Sequence, residues 1–297
     1  MTILVIGGTG VVGSELVARL AQTGVPARCM TRWPASLEKL PKGVEGRIGD
    51  LSKPASLRPI FTGMEKLFLV TPLSQNETLQ GLAAVDAAKA SGVAKIVYLS
   101  VPMPPGSGHI PHFRSKVPIE EAIIDSGIPY TILRPNNLFQ NDHWCQAAVM
   151  LYNTYPQPIG LVGLNRVDAR DIADAGLNAL ADPRFDGQDY TLHGLEKLNG
   201  EDVAAVFGRH LHRDIRYGGD DLDTWAKQAQ HMMPAWMVQD LRQMYEYFQV
   251  SGLAATDEAL SRQAAILGHE PRRFDDFVAE IIPVWQKRLE EGNQYHS

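Results

Sequence analysis

The sequence contains little cysteine and no long apolar run, and both absences exclude classes of protein. Only Cys29 and Cys145 occur among the 297 residues, too few for a disulfide framework or a thiolate metal site. No apolar run approaches the ~20 residues that span a bilayer. The first residues also lack the basic lead-in and the cleavage site of a signal peptide. We therefore expect a soluble cytoplasmic protein with no membrane partner.

Basic residues are also too few for a surface that holds a phosphate backbone. The chain carries 28 Lys and Arg against 34 Asp and Glu, with a formal charge of -6, so no nucleic-acid partner is predicted. Neither a Gly-x-Ser-x-Gly elbow nor a His-Glu-x-x-His pair is present, so no hydrolase elbow and no metal site are predicted. Apolar residues make up 44% of the chain, which excludes disorder.

Short apolar runs in the first half of the chain alternate with helical patterns, such as Val12–Gln22 and Leu79–Ser91. Runs such as 3–6 and 67–70 are almost continuously apolar, which is typical of strands buried on both faces of a parallel sheet. This order predicts a Rossmann-type, doubly wound α/β fold, whose ligands bind at the carboxyl ends of the strands. The predicted strands are Thr2–Ile6, Pro26–Arg32, Gly43–Ile48, Lys66–Thr71, Ala94–Ser100 and Pro129–Arg134.

After Pro135 the pattern changes. We predict a helix over Asn137–Tyr152, a short strand at 160–162 and a mostly helical chain from Asn199 onward. The domain prediction is a dinucleotide-binding unit at 1–153, completed by 172–195. The remaining residues, 154–171 and 196–297, form a smaller, mainly helical substrate-binding domain in this prediction.

A glycine-rich segment directly follows the first predicted strand and opens the next helix. Glycine permits a tight turn and lets backbone N–H groups approach a pyrophosphate, while the helix N-terminus favours the anion. Ser14 stands where a nucleoside triphosphate loop needs lysine, which excludes that class of site. The residues predicted to bind a dinucleotide here are Gly7, Gly8, Thr9, Gly10, Val11, Val12 and Gly13.

The end of the second strand indicates which dinucleotide is bound. NAD sites usually offer a carboxylate to the ribose 2′-hydroxyl at this point, but no Asp or Glu occurs between Glu15 and Glu38. Arg32 ends the strand instead, with Arg28 close by, and a guanidinium suits a 2′-phosphate. The alternative for Arg32 is a solvated surface charge. The pattern favours NADP(H).

Other strand ends supply further candidates for cofactor binding. Asp50 and Leu51 follow the third strand, where an aspartate can meet the adenine amino group or cap the following turn. Thr71 and Ser100 end the fourth and fifth strands. Each either lines the nicotinamide side of the site or forms hydrogen bonds with the local backbone. The Pro- and Gly-rich segment 101–111 is either a loop that closes over substrate or an ordinary connector.

Four further segments, together with the glycine turn and Arg32, carry a family resemblance: 112–116 (His-Phe-Arg-Ser-Lys), 130–137, 167–173 and 267–271. With these motifs the chain resembles, over nearly its whole length, the NmrA-like branch of the atypical short-chain dehydrogenases/reductases. The resemblance implies an NADP(H)-binding protein. Members of this branch are NADPH-dependent reductases of quinones, dyes and isoflavonoid-type compounds, or cofactor-sensing regulators without catalytic turnover.

The wider superfamily uses a Tyr-x-x-x-Lys pair, whose spacing survives here as His112 and Lys116. Residues four apart share a helix face, so the spacing predicts that both side chains point into one cleft. His112 is either a proton donor or a polar loop residue. Lys116 either contacts the cofactor and donates a proton, or is a surface lysine. Pro118 could instead start a new helix there. The resemblance also implies that Asn136, Asn137 and Leu138 reach the nicotinamide.

Together these patterns predict an NADPH-dependent reductase that transfers hydride to a small electron-poor acceptor of the quinone, dye or activated-olefin type. The alternative is a catalytically silent NADP(H) sensor that regulates a protein partner, which the missing tyrosine supports. A homodimer is compatible with either function. A methionine- and aromatic-rich run at 232–248 either walls a pocket for a flat aromatic substrate or forms the core of the smaller domain.

Overall fold

A computed structural model describes residues 1–294 of the protein, with twelve α-helices and nine strands. The strands are β1 Ile3–Ile6, β2 Ala27–Thr31, β3 Val44–Ile48, β4 Lys66–Val70, β5 Lys95–Leu99, β6 Tyr130–Pro135, β7 Thr154–Tyr155, β8 Gln188–Leu192 and β9 Arg216–Tyr217. The helices are α1 Val11–Thr23, α2 Arg58–Phe61, α3 Glu77–Ala90, α4 Pro111–Arg114, α5 Val117–Asp125, α6 Gln146–Tyr152, α7 Ala169–Ala181, α8 Gly200–Leu211, α9 Leu222–Ala229, α10 Ala235–Ser251, α11 Asp257–Leu267 and α12 Phe274–Gln294.

Seven of the strands form one parallel sheet in the order β3-β2-β1-β4-β5-β6-β8, and β7 pairs with β9 separately. The order reverses between β1 and β4, which is where a doubly wound sheet leaves a crevice at its carboxyl edge. The predicted Rossmann-type parallel sheet is confirmed, and every predicted strand of the first half is present within about two residues of its predicted ends.

Helices cover both faces of the sheet, which explains the continuous apolar runs. Ile3 and Val5 of β1 pack into a core with α1 and α7 on one face. Leu4 and Ile6 pack into a second core, with α2, α3 and α5, on the other face. All four side chains are buried, so β1 must be apolar at every position.

A third hydrophobic core lies among α6, α8, α10 and α12 and is rich in aromatic side chains, including Phe207 and Trp285. Segment 139–145 adds a 3₁₀ helix, so the helix predicted over Asn137–Tyr152 is regular only in α6. The domain division at residue 153 stays a prediction. None of the described helices combines the length and the apolar character that a membrane crossing requires.

The strand predicted at 160–162 is wrong. Gly160 and Gly163 both have left-handed backbone angles, with φ of +79° and +99°, which do not fit a strand. Leu161 and Val162 lie exposed between them, and pairing begins only at Leu164, which forms isolated bridges with Leu198 and Leu253.

Candidate functional site

A groove of about 240 Å³ opens at the carboxyl edge of the sheet, where the strand order reverses. Parallel strands bring residues from distant parts of the chain to this edge, so the groove combines several of the predicted cofactor residues. It also contains Trp33 and Gln80, which the sequence analysis did not identify. The predicted residues that line it are Gly7, Thr9, Gly10, Arg32, Asp50, Leu51 and Thr71.

The glycine turn forms one wall of the groove and requires glycine at specific positions. Gly7 has a φ of +79°, and a Cβ there would lie 2.7 Å from the Cβ of Val70. A Cβ on Gly13 would lie 2.2 Å from the carbonyl oxygen of Gly7, because α1 packs directly against the turn. The Gly10 amide donates to the Gly7 oxygen at 3.0 Å, which closes the turn.

The N-terminus of α1 fits the phosphate groups of a dinucleotide. Its N-cap residue is Gly10, no side chain of the described protein caps the helix, and its first turn carries no acidic residue. The helix dipole and the free amides of the first turn therefore favour an anion in front of Gly10.

The two arginines near the end of β2 differ in their contacts. Arg28 donates to Glu45 at 2.7 Å and to the carbonyl oxygens of Ile60 and Thr62, so its guanidinium is committed to the structure. Arg32 is exposed, lines the groove and has no ion pair within residues 1–294. Only Arg32 therefore presents a guanidinium that a 2′-phosphate can use.

Asp50 caps the turn after β3 and lines the groove at the same time. Its Oδ1 accepts from the Ser52 amide at 2.9 Å and from the Ser52 hydroxyl at 2.6 Å. These hydrogen bonds, together with the charges of Arg32 and Lys53, lower the pKa of Asp50 against a smaller effect of burial. The turn-capping alternative is thus observed, whereas the adenine contact stays a prediction.

Lys116 lies behind the groove in a buried polar cluster. Its Nζ donates to Glu77 Oε1 at 2.6 Å and to Thr71 Oγ1 at 3.2 Å, and Thr71 donates to the same Glu77 oxygen at 2.7 Å. The residue is only 8% exposed, so Lys116 is not a surface lysine. Thr71, which lines the groove, links its ammonium group to the predicted cofactor site.

His112 has different partners from Lys116, although the spacing of four residues predicts a shared helix face. Residue 112 lies on α4 and Lys116 lies between α4 and α5. The helix breaks because Pro118 has no N–H with which to continue the α4 hydrogen bonds. His112 Nδ1 contacts Asp240 Oδ1 of α10 at 2.6 Å and lines a separate cavity of about 650 Å³.

The loop after β6 uses its side chains within the protein. Asn136 donates to the carbonyl oxygen of Leu253 at 2.8 Å, and Asn137 accepts from Arg166 at 3.0 Å. A nicotinamide contact by Asn136, Asn137 or Leu138 stays a prediction. Ser100, at the end of β5, is different: its buried hydroxyl has no hydrogen-bond partner in the described chain, so it can serve a polar ligand atom.

A family model matches residues 1–278, and that model is the NmrA-like family. The chain belongs to the NmrA-like family. It is 30% identical over 285 residues to an NAD(P)H azoreductase of Xenophilus azovorans, covering 93% of this chain and 96% of that protein.

Solved structures share the fold. An NADPH-dependent quinone oxidoreductase of Escherichia coli, solved with NADPH, superposes with a TM-score of 0.82 at 22% identity. This match covers 94% of the present chain and 99% of the other. The negative transcriptional regulator NmrA, solved with NADP, superposes with a TM-score of 0.78 at 20% identity over 97% of both chains. At these identities the likeness establishes the fold alone.

Glu77 and Asp240 of this NmrA-like protein were not predicted from the sequence. Glu77 is 1% exposed and occupies the first turn of α3. An acidic residue in a first turn ordinarily stabilises the helix by interacting with its dipole. Asp240 lies on α10, 128 residues from the histidine that it contacts. No spacing or motif in the sequence could have identified either residue, because both acquire their partners through helix packing.

The methionine- and aromatic-rich run contributes to the third core, while a role in binding a flat aromatic substrate stays a prediction. Met244, Tyr245 and Phe248 are buried in the third core, whereas Trp236 lines the cavity beside His112. Within segment 101–111, the Pro105 carbonyl oxygen accepts from the Tyr247 hydroxyl at 3.1 Å. A lid role for this segment stays a prediction.

Proposed function

We propose that the protein is an NADPH-dependent reductase that transfers hydride to a small electron-poor unsaturated acceptor of the quinone, dye or activated-olefin type. The observation that carries the proposal is the groove itself, which combines an uncapped helix N-terminus behind the glycine turn with the free guanidinium of Arg32. The azoreductase relative and the quinone oxidoreductase of the same fold support this class of reaction.

In this proposal different residues bind different parts of the dinucleotide. The amides of the glycine turn hold the pyrophosphate, Arg32 holds the 2′-phosphate, and Asp50 with Leu51 lies beside the adenine. Thr71 and Ser100 face the nicotinamide side. Bound NADPH supplies a hydride, and the chain supplies orientation and a proton from Lys116.

The second candidate function is a redox sensor that binds NADP(H) without turnover. Two observations favour it: the superfamily tyrosine is absent at residue 112, and the ammonium group of Lys116 is paired with Glu77. The regulator NmrA shows that the fold also occurs in a protein that controls transcription. Turnover separates the two functions.

The first experiment mixes the protein with NADPH, records nicotinamide fluorescence, and then adds quinones, azo dyes, cationic triarylmethane dyes and enones in turn. A change on mixing, followed by catalytic decay with one of the acceptors, supports the reductase. A change on mixing that persists with every acceptor favours the sensor. No change on mixing would contradict both functions.

Replacing Arg32 tests the choice of dinucleotide. We expect Arg32→Ala to weaken NADPH binding by about 10- to 100-fold, because it removes about 1.5–3 kcal/mol of charge-assisted hydrogen bonding to the 2′-phosphate. NADH lacks that phosphate, so its dissociation constant should stay unchanged in a fluorescence titration. Arg47→Ala is the control, because Arg47 is exposed on β3 and pairs with Glu45. Equal weakening of NADPH and NADH would contradict the assignment.

A further inference from the structure

Glu77 connects the candidate cofactor groove with the second cavity, beside His112. Its Oε1 accepts from Lys116 and Thr71, and its Oε2 accepts from the Ser115 hydroxyl at 2.7 Å. Thr71 lines the groove, whereas Ser115 lines the second cavity, of about 650 Å³. One buried carboxylate therefore joins two openings of the protein through a continuous chain of hydrogen bonds.

A buried proton donor needs such a connection if it is to act repeatedly. Reduction of an azo group or an enone consumes one proton for each hydride, and Lys116 is only 8% exposed. After Lys116 has given up its proton, another must reach it from water. The Ser115 hydroxyl has a second acceptor, the carbonyl oxygen of His112 at 3.1 Å, so it can rotate between two hydrogen bonds as a relay requires.

We propose that Ser115 and Glu77 form a proton relay that reprotonates Lys116 with protons from water in the second cavity. This inference rests on the proposed reductase function.

Hydride adds to one end of the acceptor double bond, and the electron pair left on the other end takes a proton from Lys116, directly or through the Thr71 hydroxyl. Glu77 accepts a proton at Oε2 from Ser115, which takes one from cavity water. Rotation of the carboxyl group then lets Glu77 return the proton to Lys116, and one water-derived proton is consumed for each hydride.

The first test needs neither cofactor nor turnover. In protein labelled with ¹⁵N-lysine, NMR measures how fast the ammonium hydrogens of Lys116 exchange with water, with Lys116→Arg identifying the signal. We expect Ser115→Ala to slow this exchange on the order of tenfold, because it removes the hydroxyl that carries protons, and Ser115→Thr to retain it.

Ser74→Ala is the matched control for the exchange measurement. Ser74 lines the same cavity but donates to Gln80 and not to Glu77, so the exchange rate should stay at the wild-type value. Unchanged exchange in Ser115→Ala would overturn the relay, as would equal slowing in Ser74→Ala and Ser115→Ala.

The second test compares two dyes. The azo dye methyl red needs a proton for each hydride, whereas the cation malachite green is neutralised by hydride alone. We expect Ser115→Ala and Glu77→Gln to lower methyl red reduction by about tenfold or more relative to malachite green reduction. A purely structural role would lower both rates equally and overturn the relay. If the wild-type protein reduces neither dye, the proposed function fails for these acceptors, and the exchange measurement still decides whether protons travel through Ser115.

Discussion

His193 shows how burial alone changes the chemistry of one side chain. It is 5% exposed, its Nδ1 lies 3.1 Å from the Asn136 side-chain nitrogen, and its backbone is held by Gln263. Burial lowers the pKa of His193 to about 4, because the imidazolium would lose its hydration. The folded protein therefore keeps His193 neutral and able to accept from Asn136.

This shift predicts a pH dependence of stability. Above the unfolded-state pKa of 6.5, His193 is neutral in both states and does not change the free energy of unfolding. As the pH falls from 6.5 toward 4, only the unfolded chain takes up the proton, so the free energy of unfolding should drop by about 2 kcal/mol at pH 5. Urea denaturation at pH 7.5 and pH 5 measures the drop.

His193→Gln is the control for this pH dependence, because glutamine keeps a polar side chain and does not titrate. The variant should lose less stability than the wild type between the two pH values. The same loss in both proteins would show that His193 does not cause it.

Among the secondary-structure elements, the contact between the glycine turn and α1 fixes the position of the helix beside the groove. The helix approaches the turn so closely that Gly13 has no room for a methyl group, and the N-cap residue of the same helix, Gly10, lines the groove. A side chain at residue 13 must therefore push the helix away from the turn.

We expect Gly13→Ala to weaken NADPH binding by about tenfold or more and to lower the free energy of unfolding by about 1–3 kcal/mol, as overpacking does. Fluorescence titration and urea denaturation measure the two effects. Ser14→Ala serves as control, because the Ser14 side chain is exposed on the same helix and, among the described residues, bonds only to the Val11 carbonyl oxygen. Wild-type NADPH affinity in Gly13→Ala would contradict the predicted role of the turn.

At the scale of the whole molecule, a buried ion pair joins the sheet to the third core. Arg166 and Asp142 are both fully buried and contact each other through two hydrogen bonds of 2.9 Å. Arg166 also donates to Asn137 and to the Leu138 carbonyl oxygen, in the loop after β6. Asp142 accepts from Tyr155 of the third core at 3.1 Å.

Breaking this pair should destabilise the protein more than any surface pair does. We expect Asp142→Asn to lower the free energy of unfolding by about 3–5 kcal/mol, because it leaves the Arg166 charge buried without a counter-ion. Asp275→Asn removes a partner of the exposed Arg209 and should cost about 0–1 kcal/mol. Urea denaturation compares the two variants, and a loss of similar size in both would contradict the buried-pair argument.

The sequence alone determined the parallel sheet, the glycine turn and the guanidinium at Arg32. Each depends on short-range physics: strands buried on both faces are apolar at every position, tight turns need glycine, and a strand end places its next residue at the sheet edge. The strand predicted at 160–162 is absent because Gly160 and Gly163 have left-handed backbone angles.

Contacts between distant side chains could be seen only in the folded protein. Glu77 and Lys116 lie 39 residues apart and His112 and Asp240 lie 128 apart, yet each pair is in hydrogen-bond contact. These contacts depend on how α3, α4, α5 and α10 pack, and no periodicity along the chain encodes that packing. The sequence therefore predicted which strand ends line the candidate groove. The structure was needed to show that Lys116 contacts Glu77 and that His112 contacts Asp240, because side-chain partners depend on packing between distant helices.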